Sequence, residues 1–518
     1  MHSPQKPRVC ISLCEPTVAA LKRAIAAAAE VCDLIEVRLD CLDPLETETG
    51  SITRLLQETT CDSILTFRPS QEGGRRALDD ETRQAFWSDA IFSASFGDVE
   101  LDLAEKFNNS ETTASLPIDW SRTICSHHDF GRMPAKLDQI YDRMCRTPAR
   151  VLKIAVQAND AIDCLPIFQL LQRARADGRE MIAIAMGAAG VATRILGPSR
   201  GAFLTYASFE GEAPTAPGQI SARDLRDVYR IEKIDRQTEI FGLIGFPVSH
   251  SVSPLMHNAA FAERTMNAVY LPFEVHDVKA FLRRMIHPRT REMDWNIRGL
   301  SVTAPHKFAV MDYLDWIDPQ ALAIGAVNTI VIDGDTLRGY NTDAHAFIDA
   351  LEGMFGGCGG LAFARCAVIG AGGGASAALW ALKQAKADAT IFARSAARAS
   401  ALSKRFDVPL MNLEDAQFDG YDVVINATPL GGAGQFENET PATAPQFRGA
   451  RLAYDLVYNP FETRFLREAS AAGCDTLEGF SMLVTQAEEQ FTLWTGAVAP
   501  GVMFDVAERK LIPENLRG

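Results

Sequence analysis

The chain has 518 residues, 47% of them apolar, which is too long for one ordinary domain and enough for two to four. Asp and Glu (66) outnumber Lys and Arg (51), giving a net charge of −15 and excluding nucleic acid and anionic membrane, which demand a basic surface. Small anionic substrates stay open, because a local Arg or Lys clamp does not depend on net charge.

The eleven cysteines include no C-x-x-C pair, so a zinc ribbon has no support, and their scatter predicts reduced core thiols in a cytoplasmic protein. No apolar signal segment precedes Glu15. The uncharged run Cys366–Leu382 falls short of the ~20 residues of a membrane span. Its four glycines mark a buried strand turning into a helix.

In chain order, short β-rich runs recur at Val9–Leu13, Leu34–Asp40, Ser63–Arg68, Val99–Leu103, Thr123–His128, Val151–Val156, Met181–Met186 and Phe203–Tyr206. Helix-length stretches such as Thr17–Val31 and Ala161–Ala176 separate them. Eight alternating units predict an α/β fold, a (β/α)8 barrel, for which ~250 residues is typical. Glu36, Arg38 and Asp40 alternate with Ile35, Val37 and Leu39, and Arg68, Glu100, Asp102 and Lys153 sit on similar strands. Barrel strands have no water-facing side. These charges therefore point into the lumen, near the C-terminal mouth where barrel enzymes keep their chemistry. The alternative is a structural ion-pair network.

Ser221–Gln237 reads as a charged amphipathic helix and linker, and a new unit opens with Ile240–Phe246. A second pattern begins near Ala364, with strands Cys366–Ile369, Ala389–Ala393, Asp422–Asn426 and Leu452–Leu456 and a helix Met482–Thr495. Gly370-Ala371-Gly372-Gly373-Gly374-Ala375 follows the first of these strands and opens a helix. This G-x-G-x-x-A pattern is the dinucleotide fingerprint in its required strand–turn–helix context. The next strand ends at Arg394-Ser395, with Arg398 one turn on, where an NAD protein would carry an acid. Two guanidinium groups there suit a 2′-phosphate, so NADP is the expected cofactor. No His, Cys or carboxylate spacing implies a metal.

The motifs now identify two families covering nearly the whole chain. The first half resembles type I 3-dehydroquinate dehydratase through Glu36-x-Arg38-x-Asp40, Thr66-Phe67-Arg68, Glu72-Gly73-Gly74, Ser126-His127-His128-Asp129-Phe130, Lys153, Met186-Gly187, Arg194 and Ala216–Gln219. The second resembles shikimate dehydrogenase through Ser251-Val-Ser253-Pro254, Val302-Thr303-Ala-Pro-His-Lys307, Ala326-Val-Asn328-Thr, Asn341-Thr-Asp343, Tyr458 and Gln486. The order is that of the bifunctional dehydratase–dehydrogenases of plants and some bacteria.

The resemblance implies that Lys153 forms a Schiff base with the substrate ketone, His128 moves protons and Arg194 binds the carboxylate. Ser12, Glu36, Arg38, Arg68, Glu72, Met186, Tyr206, Thr215 and Gln219 complete that site. An iminium is a better electron sink than a ketone, and histidine has a suitable pKa for the proton. The apolar strand, with Arg38 and Arg68 nearby, is expected to favour a neutral Lys153. His127 and His128 face opposite ways, and the resemblance places His128 in the lumen. In the second half, Lys307 and Asp343 are the implied catalytic pair, which fits the alkoxide formed on hydride transfer. Ser251, Ser253, Ser301, Thr303, Asn328, Tyr458 and Gln486 bind shikimate, and Thr428 joins the cofactor residues.

Two positions depart from the families: Thr215 where serine is common, and Ser301 where asparagine is frequent. Thr303 favours shikimate over quinate. A quinate dehydrogenase fused to the barrel is the enzymatic alternative. A non-catalytic sensor is the other, against which all four catalytic residues stand. The expected divisions are 1–235 for the barrel, 236–345 for the substrate domain and 346–478 for the Rossmann domain, with helices 479–518 packing back on the substrate domain. No coiled-coil or exposed apolar stripe indicates an oligomer.

Overall fold

The structure is a computed structural model in which residues 6–46, 49–89, 94–109, 118–210, 215–355 and 360–517 are described. It divides into two compact units. One is Met1–Thr238 with Phe273–Val275 and Glu292–Trp295, and the other is Glu239–Pro272, His276–Arg291 and Asn296–Gly518.

The first unit contains β1 (Val9–Leu13), β2 (Leu34–Arg38), β3 (Asp62–Thr66), β4 (Phe96–Glu100), β5 (Thr123–Asp129), β6 (Val151–Gln157), β7 (Glu180–Met186) and β8 (Thr205–Ala207). They form one parallel sheet in the order β7-β6-β5-β4-β3-β2-β1-β8. Met181 pairs with Ala202 just before β8, which nearly closes the barrel.

Its interior is layered by strict alternation. Cys10, Leu34, Ile64, Phe96, Ile124, Val151 and Ile182 pack together as an apolar floor. Two residues along the same strands, and so on the same face, stand Ser12, Glu36, Thr66, Asp98, Ser126 and Lys153, all buried. The polar layer thus rests on a dry base below the C-terminal mouth.

Three expectations are corrected here. First, β4 ends at Glu100, and Leu101 opens the helix Leu101–Asn109. Asp102 is therefore helical, and Asp98 takes the lumen position on this strand. Second, Asp40 lies in the 3-10 turn Leu39–Cys41, past the end of β2. Third, Cys14 and Cys41 form a disulfide. They follow neighbouring strands paired in register, Leu13 opposite Val37, so both emerge at one end of the barrel. Their 27-residue separation hid this in the sequence. Eight other cysteines are free, and Cys358 lies outside the described residues.

The second unit has two six-stranded sheets. The first joins β9 (Glu239–Gly245), β10 (Ala268–Glu274), β11 (Ile297–Val302), β12 (Trp316–Ile317), β13 (Thr329–Asp333) and β14 (Thr336–Tyr340) in the order β10-β9-β11-β13-β14-β12. The second joins β15 (Arg365–Ile369), β16 (Asp388–Ala393), β17 (Leu410–Asn412), β18 (Val423–Asn426), β19 (Leu452–Asp455) and β20 (Asp475–Leu477) in the order β17-β16-β15-β18-β19-β20, all parallel. That order reverses direction between β15 and β18, the crevice where doubly wound sheets bind nucleotides. The helices Phe480–Thr495 and Val502–Leu511 return to the first sheet. Leu483, Ala487, Phe491 and Met503 share a core there with Phe241 and Phe261. No helix among the described residues is long and apolar enough to cross a membrane.

Candidate active sites

Lys153 projects from the middle of β6 into the polar layer and is 4% exposed. Its Nζ donates to Asp98 Oδ2 (2.8 Å), Tyr206 Oη (2.9 Å) and Glu36 Oε1 (3.2 Å). Arg38 is held bidentately by Asp40, and Arg68 contacts Glu100 and Ser126 and shares the Asp98 carboxylate with the lysine. Glu36 is fixed in turn by Ser12, which donates to Oε2 at 2.6 Å, and by Thr66, which donates to Oε1 at 2.9 Å.

His128 lies one layer above, on β5, in register with Ala155 two residues past Lys153. Its backbone N–H donates to Glu72 Oε2 at 3.0 Å, and its Nδ1 lies 3.1 Å from the same oxygen. Burial, then Arg68 and Lys153, push the imidazole well below its ordinary range, so it is neutral at pH 7. Burial pushes the Glu72 carboxyl up to about 8 against the pull of Arg68.

Arg194 is 1% exposed, and none of the described carboxylates pairs with it. Among the described residues it donates to the carbonyls of Tyr206 and Pro217, and its Nε has no partner there. Burial lowers its pKa to about 10, still far above neutrality. A buried, unneutralised guanidinium fits an anionic ligand. Thr215 and Gln219 hydrogen-bond each other in the loop that supplies Pro217, and Met186 lines the lumen beside them.

In the second unit most of the predicted residues join one hydrogen-bonded network. Lys307 Nζ lies 2.5 Å from Asp343 Oδ2, and Asn328 Nδ2 donates to Asp343 Oδ1 at 2.9 Å. Gln490 Nε2 donates to the Asn328 carbonyl, and Ser301 Oγ donates to Gln490 Oε1 at 2.6 Å. Tyr270 Oη donates to Ser301 Oγ at 2.7 Å and also meets Ser253. Ser253 reaches Ser251, which meets Tyr458. Thr303 packs against Gly245, and the Gln486 carbonyl accepts from Thr342.

The glycine turn follows β15. Gly370 has φ 127°, a conformation only glycine takes easily, and a Cβ there would lie 2.9 Å from the Ala427 carbonyl oxygen. Thr428 stands beside this turn. Gly372 caps the helix Gly373–Gln384, and Ala375 is fully buried in the sheet–helix core. Arg394, Ser395 and Arg398 are exposed at the end of β16 and the first turn of the next helix. Neither arginine has a carboxylate partner among the described residues. The cradle and the free guanidinium groups fit a phosphorylated dinucleotide. The described residues hold no group of three or more His, Cys, Asp or Glu arranged for a metal.

Sequence reasoning quoted Thr66, Ser126 and Thr342 within motifs without giving them a role, and missed Asp98 in the barrel and Tyr270 and Gln490 in the second unit. For Asp98 the signal was present: it stands two residues past Phe96, as Lys153 stands past Val151.

The fold and sites define a barrel lyase joined in one chain to a nucleotide-dependent oxidoreductase. The type I 3-dehydroquinase pattern matches residues 9–236, and the shikimate dehydrogenase substrate binding domain matches residues 243–330. A chloroplastic bifunctional 3-dehydroquinate dehydratase/shikimate dehydrogenase of Arabidopsis thaliana is 34% identical over 496 residues, covering 91% of this chain and 79% of its own. The shikimate biosynthesis protein AroDE of Chlamydia pneumoniae is 28% identical, covering 94% of this chain and 95% of its own. A shikimate dehydrogenase (NADP(+)) of Oleidesulfovibrio alaskensis is 42% identical over 277 residues, 52% of this chain and 94% of its own. The chain belongs to the bifunctional 3-dehydroquinate dehydratase/shikimate dehydrogenase family.

Proposed function

We propose that Lys153 carries the dehydratase chemistry of this bifunctional enzyme, and the Lys307–Asp343 pair its NADP-dependent reductase chemistry. The observation that carries the first assignment is a buried amine in the polar layer, below a neutral histidine and within a lumen that holds an unpaired guanidinium. Arg194 takes the carboxylate of 3-dehydroquinate, and Nζ of Lys153 attacks the ketone. The resulting iminium acidifies the neighbouring C–H, and His128 accepts that proton and returns it to the departing hydroxyl. The product is 3-dehydroshikimate. Borohydride added with 3-dehydroquinate is expected to leave a stable adduct on Lys153. An adduct that persists in Lys153→Ala would overturn the assignment.

In the second half, NADPH supplies the hydride when bound. Ser251, Ser253, Thr303 and Tyr458 hold the substrate carboxylate, and Asn328 and Gln486 its hydroxyls. The Lys307 ammonium stands at the ketone oxygen and gives it a proton, while Asp343 orients the ammonium. Gly370–Ala375 and Thr428 bind the pyrophosphate side of the cofactor, and Arg394, Ser395 and Arg398 its 2′-phosphate.

The functional divisions are 1–235, 236–345 and 346–478, with 479–518 completing the substrate domain. Partners are small anions rather than nucleic acid or membrane, supported by the net charge of −15. Eight free cysteines support a cytoplasmic location, the Cys14–Cys41 pair notwithstanding.

A further inference from the structure

We propose that Asp98 is a catalytic residue of the dehydratase: its Oδ2 is the fixed counter-ion that keeps the Lys153 imine protonated. The inference rests on the reading of Lys153 as the Schiff-base lysine.

Three groups receive the N–H bonds of Lys153, and they differ in what else they do. Glu36 already accepts from Ser12, Thr66 and Tyr206 besides Lys153. Tyr206 is a neutral hydroxyl whose ring also lies under the ammonium, with Nζ 4.4 Å from its centroid. Asp98 is fully buried, and among the described residues the one side-chain donor to its Oδ2 is Lys153, at 2.8 Å, the shortest of the three contacts. Its other oxygen lies 2.8 Å from Arg68 Nη2 without an aligned hydrogen bond. Arg68 is itself pinned by Glu100 and Ser126. The carboxylate therefore has one hydrogen-bonding task and a rigid backing. Burial opposes its charge, but Arg68 and then Lys153 hold its carboxyl well below the usual range, so it stays an anion.

The atom balance gives that anion its role. Nζ attacks as the free amine, so one ammonium proton leaves before the C–N bond forms. Over the whole step an ammonium and a ketone give an iminium and one water, two N–H protons leaving with the ketone oxygen while nitrogen keeps one N–H and a positive charge. The charge at Nζ is the same before and after, so one carboxylate placed for the ammonium is also placed for the iminium. It needs no reorganisation at the moment of reaction. A neutral imine would be a poor electron sink, and the α-proton would stay in place. Oδ2 of Asp98 receives the N–H that survives.

Borohydride trapping across pH 6–9 tests this, because hydride reduces an iminium far faster than a neutral imine. In the wild type the trapped fraction is expected to be flat with pH. In Asp98→Asn it should fall as pH rises, and kcat for dehydration should drop about 100- to 1000-fold. Asp98→Glu keeps the charge and should restore a flat profile. Glu36→Gln should also stay flat. A flat profile in Asp98→Asn, a steep one in Asp98→Glu, or a steep one in Glu36→Gln would each overturn the assignment. Should Asp98→Asn not fold, the Glu and Gln variants carry the test alone. The Schiff-base reading fails separately, by the absence of any wild-type adduct.

Discussion

Gly373 lies directly against the side chain of Lys307: a methyl group on its Cα would stand 2.8 Å from both Cβ and Cδ of the lysine. The contact joins the glycine turn to the lysine proposed as the reductase's proton donor, so the absence of a side chain at 373 makes room for that lysine. Gly373→Ala must displace Lys307 from Asp343 or shift the turn. Overpacking of this kind costs about 1–3 kcal/mol. We expect reductase kcat to fall about 10- to 100-fold, while dehydratase kcat in the same preparation stays unchanged. Equal loss of both activities would show general destabilisation instead.

Arg394 and Arg398 are expected to separate NADPH from NADH. Both are exposed after β16, with no carboxylate partner among the described residues. A hydrogen bond to a charged group contributes about 1.5–3 kcal/mol. Replacing Arg394 with Gln is expected to raise the KM for NADPH about 10- to 100-fold and leave that for NADH nearly unchanged. Equal losses with both cofactors would remove the 2′-phosphate role.

Much of this was legible because both halves carry residues whose chemistry contradicts their surroundings. Lys153 in an apolar strand and a glycine turn after Val368-Ile369 are conflicts that only a site resolves. What escaped reading has physical causes. The β4 strand looked three residues later than it is, because Val99, Leu101 and Leu103 mimic alternation while Leu101 already begins a helix. That shift hid Asp98 and promoted Asp102, which instead pairs with Arg83 outside the lumen layer. Tyr270 and Gln490 escaped for another reason. Gln490 meets Ser301 because the C-terminal helix returns to the first sheet, and Tyr270 meets it because β10 and β11 flank β9 there, tertiary facts with no local signal. The Cys14–Cys41 disulfide depended likewise on strand neighbourhood.

Glu72 and His128 are expected to make the dehydratase pH-dependent. With Glu72 protonated, its O–H fills Nδ1 of the neutral imidazole, and Nε2 carries the ring proton. Once Glu72 ionises, Nδ1–H donates to it and Nε2 becomes a free base. Because burial lifts the Glu72 carboxyl to about 8, dehydratase kcat should rise with pH through that value. Glu72→Gln should flatten this limb and lower kcat about 100-fold. A rise near pH 8 that persists in the Gln variant would belong to another group.

Asp455 sets a pH dependence of stability in the nucleotide-binding sheet. It is fully buried at the end of β19 and accepts from Thr463, Asn426 and the Val457 backbone, and none of the described cationic side chains bonds to it. Burial outweighs those hydrogen bonds and pushes its carboxyl up to about 7. The sign follows from linkage. The folded state holds the proton more tightly than the unfolded chain, so the stabilisation is complete below pH ~4 and is lost as pH rises through about 7. A three-unit rise corresponds to roughly 4 kcal/mol at most. Asp455→Asn keeps the shape, keeps an oxygen for Asn426 and Val457, and offers its amide to the Thr463 hydroxyl. The thermal midpoint of the variant should therefore decline less between pH 5 and pH 8 than that of the wild type, and exceed it at pH 8. A wild-type midpoint that rises over this range, with the Asn variant parallel to it, would show that Asp455 is ionised at little cost and is held by its three donors alone.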